Sequence, residues 1–353
     1  MKLVHGTLEY QLQIDHIIDS FSRTPVKKMK PLVRNILRMS AYQILHLDRI
    51  PDSAACNEGV KLINKTALRN LSGFVNGVLR SIARNKESID LETPADKYSV
   101  QPWIIELLNE SIGEANAKRF LEYSLEEHGV TLRRVGSDEM ILLENAIGLT
   151  ESPEWKEGRI IVQDRSSSMP VVMAEIRPDD LVIDVCAAPG GKSLQAAEHA
   201  REVISCDLTE KKVSKINENI ERLRVKNIRT VVQDASVRRE DFVSLADVVL
   251  ADLPCSGLGT ISKKPEIKNR LSIDDCKALA DIQKKILNNV CDYVKPGGKL
   301  VFSTCTLDHY ENEDNTRMFL DSHKEFELTE EKTLLPGEFP QDGFYIAVMK
   351  KNG

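Results

Sequence analysis

At 353 residues, with 41% hydrophobic and 29% charged side chains, the chain is long enough for two or three domains and apolar enough to bury a real core. Its net charge of −6 argues against a uniformly basic nucleic-acid-coating protein, and seven cysteines without CxxC or paired ligand spacing argue against a disulfide framework and a structural zinc site and fit a reducing cytoplasm. The opening "MKLVHGTLEYQLQ" lacks the charged-then-apolar layout of a signal peptide, and no apolar run approaches the length that crosses a bilayer.

Residues 1–90 read as helical. In "PLVRNILRMSAYQILHL", Leu32, Val33, Ile36, Leu37, Ile44 and Leu45 recur at helical spacing, with Arg34 and Arg38 on another face. "SGFVNGVLRSIARNK" repeats the pattern through Phe74, Val75, Val78, Leu79 and Ile82. Arg23, Lys27, Lys28, Lys30, Arg34 and Arg38 form a cationic run with no acid among them. Such runs are usually solvated faces, but this one is also a candidate surface for an anionic partner. "DLETPADKYSV" is polar, contains a proline and reads as a linker. One or two helices are expected after Gln101, then a strand pair at "VTLRRV" and "MILLEN".

From Ile160 the rhythm changes. "LVIDVCA", "EVISCD", "IRTVVQD", "ADVVLADLP" and "KLVFSTC" alternate with amphipathic stretches, which predicts a parallel sheet covered on both faces. "GFYIAVMKK" follows a loop and is expected to run antiparallel. A second basic cluster, Lys263, Lys264, Lys268 and Arg270, follows "ADLPCSGLGT" and suggests an anionic substrate.

In such a sheet, ligands sit at the carboxyl ends of the strands. "DVCAAPGGKS" is the first strand-to-helix turn; its small residues admit a ligand to the backbone, and Gly190 and Gly191 free the chain to open a helix. Pro189 rules out GxGxxG, and the spacing before "GKS" rules out a Walker A loop. Asp207 ends the second strand, where an acid can grip ribose hydroxyls. Asp234 ends the third, where a carboxylate can accept from an adenine amino group. Either alone could be a helix-capping aspartate. Together, after this turn, they predict nucleoside binding, and S-adenosylmethionine fits best because it carries no phosphate.

Beside a methyl donor, cysteine chemistry takes a definite form. Carbon 5 of cytosine is too poor a nucleophile until a thiolate adds at carbon 6 and makes the ring an enamine. A thiol of pKa about 8.5 would need help from cations or helix N-termini. Cys255 follows Pro254, as the nucleophile does in DNA cytosine methyltransferases, whereas Cys305 in "FSTCT" reaches the same sheet edge from the next strand. A buried structural role is the commoner fate of a lone cysteine. The residue pattern leaves both cysteines open as the nucleophile.

Taken together, "DVCAAPGGKS", "ADLPCSGLGT" and "FSTCT" resemble the RsmB/NSUN family of RNA 5-methylcytosine methyltransferases. "VRNILRMSAYQILHLDRIPDSAACNEGVKL" and "GFVNGVLRSIARN" resemble the NusB-like RNA-binding domain of its RsmB branch, as do "VQDRSSS" and "DGFYIAVMKK" the catalytic part of that branch. The resemblance covers nearly the whole chain. It implies an α/β class I (Rossmann-like) methyltransferase domain over 160–353, preceded by an all-α NusB-like domain over 1–90 that is shortened at its start. Residues 91–159 would be a linker and a reduced RNA-facing subdomain.

The resemblance also implies roles for individual residues. Cys305 is the nucleophile, Cys255 assists product release, and Asp252 holds the cytosine edge. Cys186, Ala187, Ala188, Pro189, Gly190, Gly191, Lys192, Asp207, Asp234 and Asp252 line the S-adenosylmethionine site. The expected enzyme is a cytoplasmic, monomeric RNA cytosine-5 methyltransferase acting on 16S ribosomal RNA, without metal or membrane. The competing reading is a NusB-type RNA-binding factor with a weak or inactive methyltransferase domain. Two departures bear on RNA binding. The "T-I/L-R-V-N" segment expected between "FLEYSLEE" and "HGVTLRRV" is missing, and Asn269 stands where an aromatic stacking residue is common.

Overall fold

A computed structural model describes residues 2–126, 128–337 and 340–353. Two compact units are present, Met1–Asn109 with Lys264–Arg270, and Glu110–Lys263 with Leu271–Gly353.

The first unit is helical. Helices Gln11–Phe21, Pro31–His46, Asp52–Asn64 and Ser72–Asn85 each direct one apolar stripe inward. Ile14, Ile18, Leu37, Ile63, Leu79 and Ile82 are fully buried between them. Pro31 opens its helix at a position where no amide partner is needed. The stretch expected to be a linker is folded instead. Thr93 accepts a hydrogen bond from the Asp96 amide to cap helix Pro94–Tyr98, and Tyr98 and Val100 are buried. Ser99 Oγ accepts from the Gln13 amide at 3.2 Å. Polar composition here reflects capping chemistry, and so misleads about exposure.

The second unit holds two sheets. Strands β1 (Val130–Arg134), β2 (Met140–Leu143) and β3 (Ile160–Val162) form an antiparallel sheet in the order β2-β1-β3. The strand pair expected at "VTLRRV" and "MILLEN" is therefore present. β3, on the catalytic side of the expected boundary at 159/160, belongs to this small sheet.

The larger sheet contains β4 (Leu181–Asp184), β5 (Glu202–Asp207), β6 (Ile228–Val232), β7 (Ala246–Asp252), β8 (Val294–Thr304), β9 (Phe326–Leu334) and β10 (Phe344–Lys351). Its order is β6-β5-β4-β7-β8-β10-β9. Pairing is parallel from β6 to β8, and β10 runs antiparallel to both its neighbours. Apolar clusters cover both faces, one including Ile183, Ile204, Val249 and Phe302, the other Val182, Val203, Val248 and Val301. Successive residues of one strand thus enter opposite cores, which is why these strands read as continuous apolar runs. Chain order reverses at β4, whose neighbours are β5 and β7, and a crevice opens at such a switch point.

Candidate active site

The turn after β4 is shaped by a buried carboxylate. Asp184 is fully buried and its Oδ2 accepts from Ser193 Oγ at 2.7 Å, tying the strand end to the helix Gly191–Ala197 that follows. Burial pushes its pKa up to about 7. Between the two ends, Ala187 N donates to Cys206 O on β5 at 2.9 Å, and Gly190 takes φ +107°, a conformation that excludes a side chain without strain. A Cβ placed on Gly191 would meet nothing nearer than Gln163 at 3.9 Å, so the turn is open there. Cys186 is half-buried, and burial beside acidic neighbours pushes its thiol pKa up, which suits an inert lining residue.

The acids at the next two strand ends differ sharply. Asp207 is buried, and its two oxygens accept from the amides of Ala188 (2.9 Å) and Leu208 (2.7 Å), with Lys212 Nζ 2.9 Å from Oδ1. It therefore fixes the glycine turn itself, and Oδ2 keeps acceptor capacity for a ribose hydroxyl. Asp234 is exposed, and the Ser236 side chain and amide hold its carboxyl below the usual range.

Lys192 reaches from the turn to the end of β7. Its Nζ donates to Asp252 Oδ2 at 2.7 Å and to Ser167 Oγ at 2.9 Å. Ser303 Oγ donates to Asp252 Oδ1 at 2.9 Å. The β7–β8 register sets Asp252 opposite Ser303, so Asp252 is oriented by a cation on one side and a hydroxyl on the other. A donor on a ligand entering here would face a fixed acceptor.

The cysteines meet just beyond. Cys255 Sγ and Cys305 Sγ lie 3.4 Å apart, both partly accessible. Cross-links between the two loops explain the closeness. Ser256 and Thr306 hydroxyls are 2.7 Å apart, Gly259 N donates to Cys305 O at 3.1 Å, and Gly343 N donates to Gly259 O at 2.9 Å. A Cβ on Gly259 would lie 2.0 Å from Gly343 O, so only glycine lets the three backbones approach. The hydrogen bond to Cys305, burial and the charge of Cys305 all push the Cys255 pKa well up.

Two residues that the sequence motifs do not mark complete the site. Fully buried Glu311 accepts from the Ser256 amide, and fully buried Gln283 donates to Pro254 O at 2.9 Å and to Glu311 Oε2 at 2.7 Å. Glu311 lies in "DHYENE", a polar stretch between β8 and the helix Glu313–Ser322, where a further acid gives no sign of its burial. Cys276, Asp308 and Glu311 bring ligand-type atoms within 4.8 Å of one another, with the Glu311 oxygens already taken by Ser256 and Gln283. A further network supports the turn. Buried Arg133 on β1 pairs with Glu198 through contacts of 2.8 and 2.9 Å and donates to Gln163 Oε1, whose amide donates to Gln195.

The second basic cluster does not survive as a substrate surface. Lys263 is ion-paired with Asp164 and Asp342. Lys268 is fully buried, donates to Glu9 O and Tyr98 O, and is pushed down to about 8 by burial. Lys264 and Arg270 remain exposed. Asn269, expected to cost a stacking surface, donates to Leu8 O at 3.1 Å and so serves packing.

A doubly covered sheet, a glycine turn at the switch point and acids ending β5 and β6 define a class I S-adenosylmethionine-dependent methyltransferase. The family model for 16S rRNA methyltransferase RsmB/F matches residues 171–350, and that of the NusB family matches residues 1–84. The chain belongs to the 16S rRNA methyltransferase RsmB/F family. It is 34% identical over 402 residues to a probable ribosomal RNA small subunit methyltransferase B of Bacillus subtilis, covering 100% of this chain and 90% of that one. It is 29% identical to the ribosomal RNA small subunit methyltransferase B of Vibrio cholerae, covering 99% and 88%. The solved structure of PH0851 shares the fold at TM-score 0.80 and 24% identity, over 99% of this chain and 89% of that one. NSun6 from Pyrococcus horikoshii with SFG is similar at TM-score 0.53 and 29% identity, over 61% and 59%. The chain is thus an RNA methyltransferase, and S-adenosylmethionine is its methyl donor.

Proposed function

We propose that this RNA cytosine-5 methyltransferase of 16S ribosomal RNA attacks carbon 6 of its target cytosine through Cys305, with Cys255 acting in product release. The observation that carries the reading is the 3.4 Å sulfur pair at neighbouring strand ends, beside an Asp252 already oriented by Lys192 and Ser303. S-adenosylmethionine, when bound, supplies a methyl group activated by a sulfonium. The residues Cys186 to Lys192 pack the turn against it, Asp207 accepts from ribose, and Asp234 accepts from the adenine edge.

Asp252 holds the cytosine amino edge and favours the protonated, more electrophilic ring. The Cys305 thiolate adds to carbon 6, and the electron pair of the 5,6 double bond shifts so that carbon 5 takes the methyl group. Cys255, its pKa pushed well up by the hydrogen bond to Cys305 and by burial, stays a thiol during this attack. Carbon 5 then loses its proton, the double bond reforms, and Cys305 departs as thiolate.

Residues 1–90 serve as the NusB-like RNA-binding domain, extended by the folded stretch to Asn109, 91–159 lead into the RNA-facing sheet, and 160–353 carry catalysis. The exposed cations Arg23, Lys27, Lys28 and Lys30 meet the phosphate backbone. The enzyme works as a cytoplasmic monomer without metal, and no helix among the described residues is long and apolar enough to cross a membrane. Incubation with labelled S-adenosylmethionine and 16S ribosomal RNA, followed by nucleoside analysis, tests the activity. 5-Methylcytidine is expected, and its absence overturns the reading.

A further inference from the structure

We propose that Glu311, together with Gln283, is a positioning residue for Cys255 in the release step, an inference that rests on the assignment of Cys305 as nucleophile. Residues 253–257 lie in neither helix nor strand, so no ladder fixes the Cys255 backbone. The peptide groups on its two sides are held by side chains instead. Gln283 Nε2 donates to Pro254 O at 2.9 Å, while the Glu311 carboxylate accepts from Ser256 N at 3.0 and 3.2 Å. The two holders are joined to each other by the 2.7 Å bond from Gln283 to Glu311. Asn315 Nδ2 donates to Gln283 Oε1 at 3.0 Å, which settles the amide orientation.

This arrangement is costly to build. Gln283 and Glu311 are fully buried, and burial pushes Glu311 up to about 7. An apolar core would hold a merely structural loop more cheaply. The placement of the clamp around one thiol links it to that thiol's chemistry. The Glu311 charge by itself raises the Cys255 pKa, so the clamp serves release through placement of the sulfur.

The step it serves balances as follows. After methyl transfer, carbon 6 is bonded to Cys305 Sγ, so the Cys305 negative charge and hydrogen bond that hold the Cys255 proton are gone. Cys255 then ionises to solvent more readily. Its thiolate takes the proton from carbon 5, and the carbon–hydrogen pair becomes the 5,6 double bond. The carbon–sulfur bond breaks, and its electron pair leaves on Cys305. The products are 5-methylcytosine, the Cys305 thiolate and the Cys255 thiol. Proton transfer of this kind depends on placement, and a displacement near 1 Å can cost about a hundredfold.

The test uses the full chain with 16S ribosomal RNA and compares Glu311→Ala, Glu311→Gln and Gln283→Met with the parent. Single-turnover methyl transfer, decay of the denaturation-resistant protein–RNA adduct and S-adenosylmethionine affinity are measured separately. In Glu311→Ala, adduct decay is expected to slow about tenfold or more, with methyl transfer within about threefold and cofactor affinity unchanged. Adding Glu311→Ala to Cys255→Ala should slow decay no further, which a general loss of stability would not reproduce. If Glu311→Ala does not fold, Gln283→Met reads the same decay, because it removes the donor to Pro254 without burying a charge. Decay at the parent rate in the folded variants, or equal loss of methyl transfer and decay, overturns the proposal. An adduct that still forms in Cys305→Ala, run in parallel, would instead show that the nucleophile assignment itself has failed, and the clamp's role with it.

Discussion

Asp207 anchors the amides of Ala188 and Leu208, and in the proposed function its Oδ2 also accepts from a ribose hydroxyl. Asp207→Ala removes hydrogen bonds to a charged acceptor worth roughly 1.5–3 kcal/mol each. S-adenosylmethionine affinity is expected to fall about ten- to a hundredfold by calorimetry, with a lower melting temperature. Unchanged affinity in a folded variant contradicts the assignment. Gly259→Ala probes the sulfur pair differently. Its Cβ would strike Gly343 O at 2.0 Å and approach Cys305 O at 2.9 Å, both backbone atoms that cannot swing aside. Both melting temperature and methyl transfer should fall, and a variant matching the parent in both contradicts the packing account. At this scale the motif residues were legible because their types are chemically unusual at strand ends. The Lys192–Asp252 bond was not, since it joins positions 60 residues apart. Glu311 and Gln283 were hidden for the same reason, as their partners are backbone atoms of a distant loop.

Among the elements, the strands of the parallel sheet were readable because burial on both faces leaves continuous apolar runs. β9 was missed. "FELTEEKTL" is an edge strand with mostly exposed charges, composition that protects an edge from pairing and also masks it as loop. The linker reading failed where Thr93 and Pro94 start a helix. The two basic segments also part company here. In the first, Arg38 is bound by Asp15 at 2.5 and 2.7 Å, yet Arg23, Lys27, Lys28 and Lys30 stay exposed. Changing Lys27, Lys28 and Lys30 to Glu should weaken RNA binding and lower the slope of log affinity against log salt by about 0.7–0.9 for each phosphate left unneutralised. Titration at several salt concentrations checks this, and an unaltered slope reduces the stripe to a solvated face. Helix Pro31–His46 carries a pH signal. His46 stacks on Tyr10 at 4.0 Å, and burial pushes its pKa down from 6.5 to about 4. It is neutral when folded, so the stability it contributes is full above about pH 6.5 and lost as pH falls towards 4. His46→Phe should therefore lose less melting temperature than the parent between about pH 7 and about pH 5. Equal losses contradict a buried neutral imidazole.

For the molecule as a whole, a helical unit and a methyltransferase sheet were both foreseeable from the switch in periodicity near Ile160, although β3 reaches across that point to pair with β1. What the sequence could not resolve alone was the division of labour between Cys255 and Cys305, because each ends an apolar strand in the same way. The structure brings their sulfurs to 3.4 Å, and the hydrogen bond to Cys305 and burial push the Cys255 pKa well up. The most direct test is a denaturing gel of Cys305→Ala, Cys255→Ala and the double variant after reaction with S-adenosylmethionine and 16S ribosomal RNA. Cys305→Ala should methylate at background and form no covalent species. Cys255→Ala should accumulate a slow-migrating adduct that depends on the methyl donor and disappears with ribonuclease, and the double variant should show none. Trapping by Cys305→Ala with an inert Cys255→Ala, or no adduct in any variant, would contradict the account.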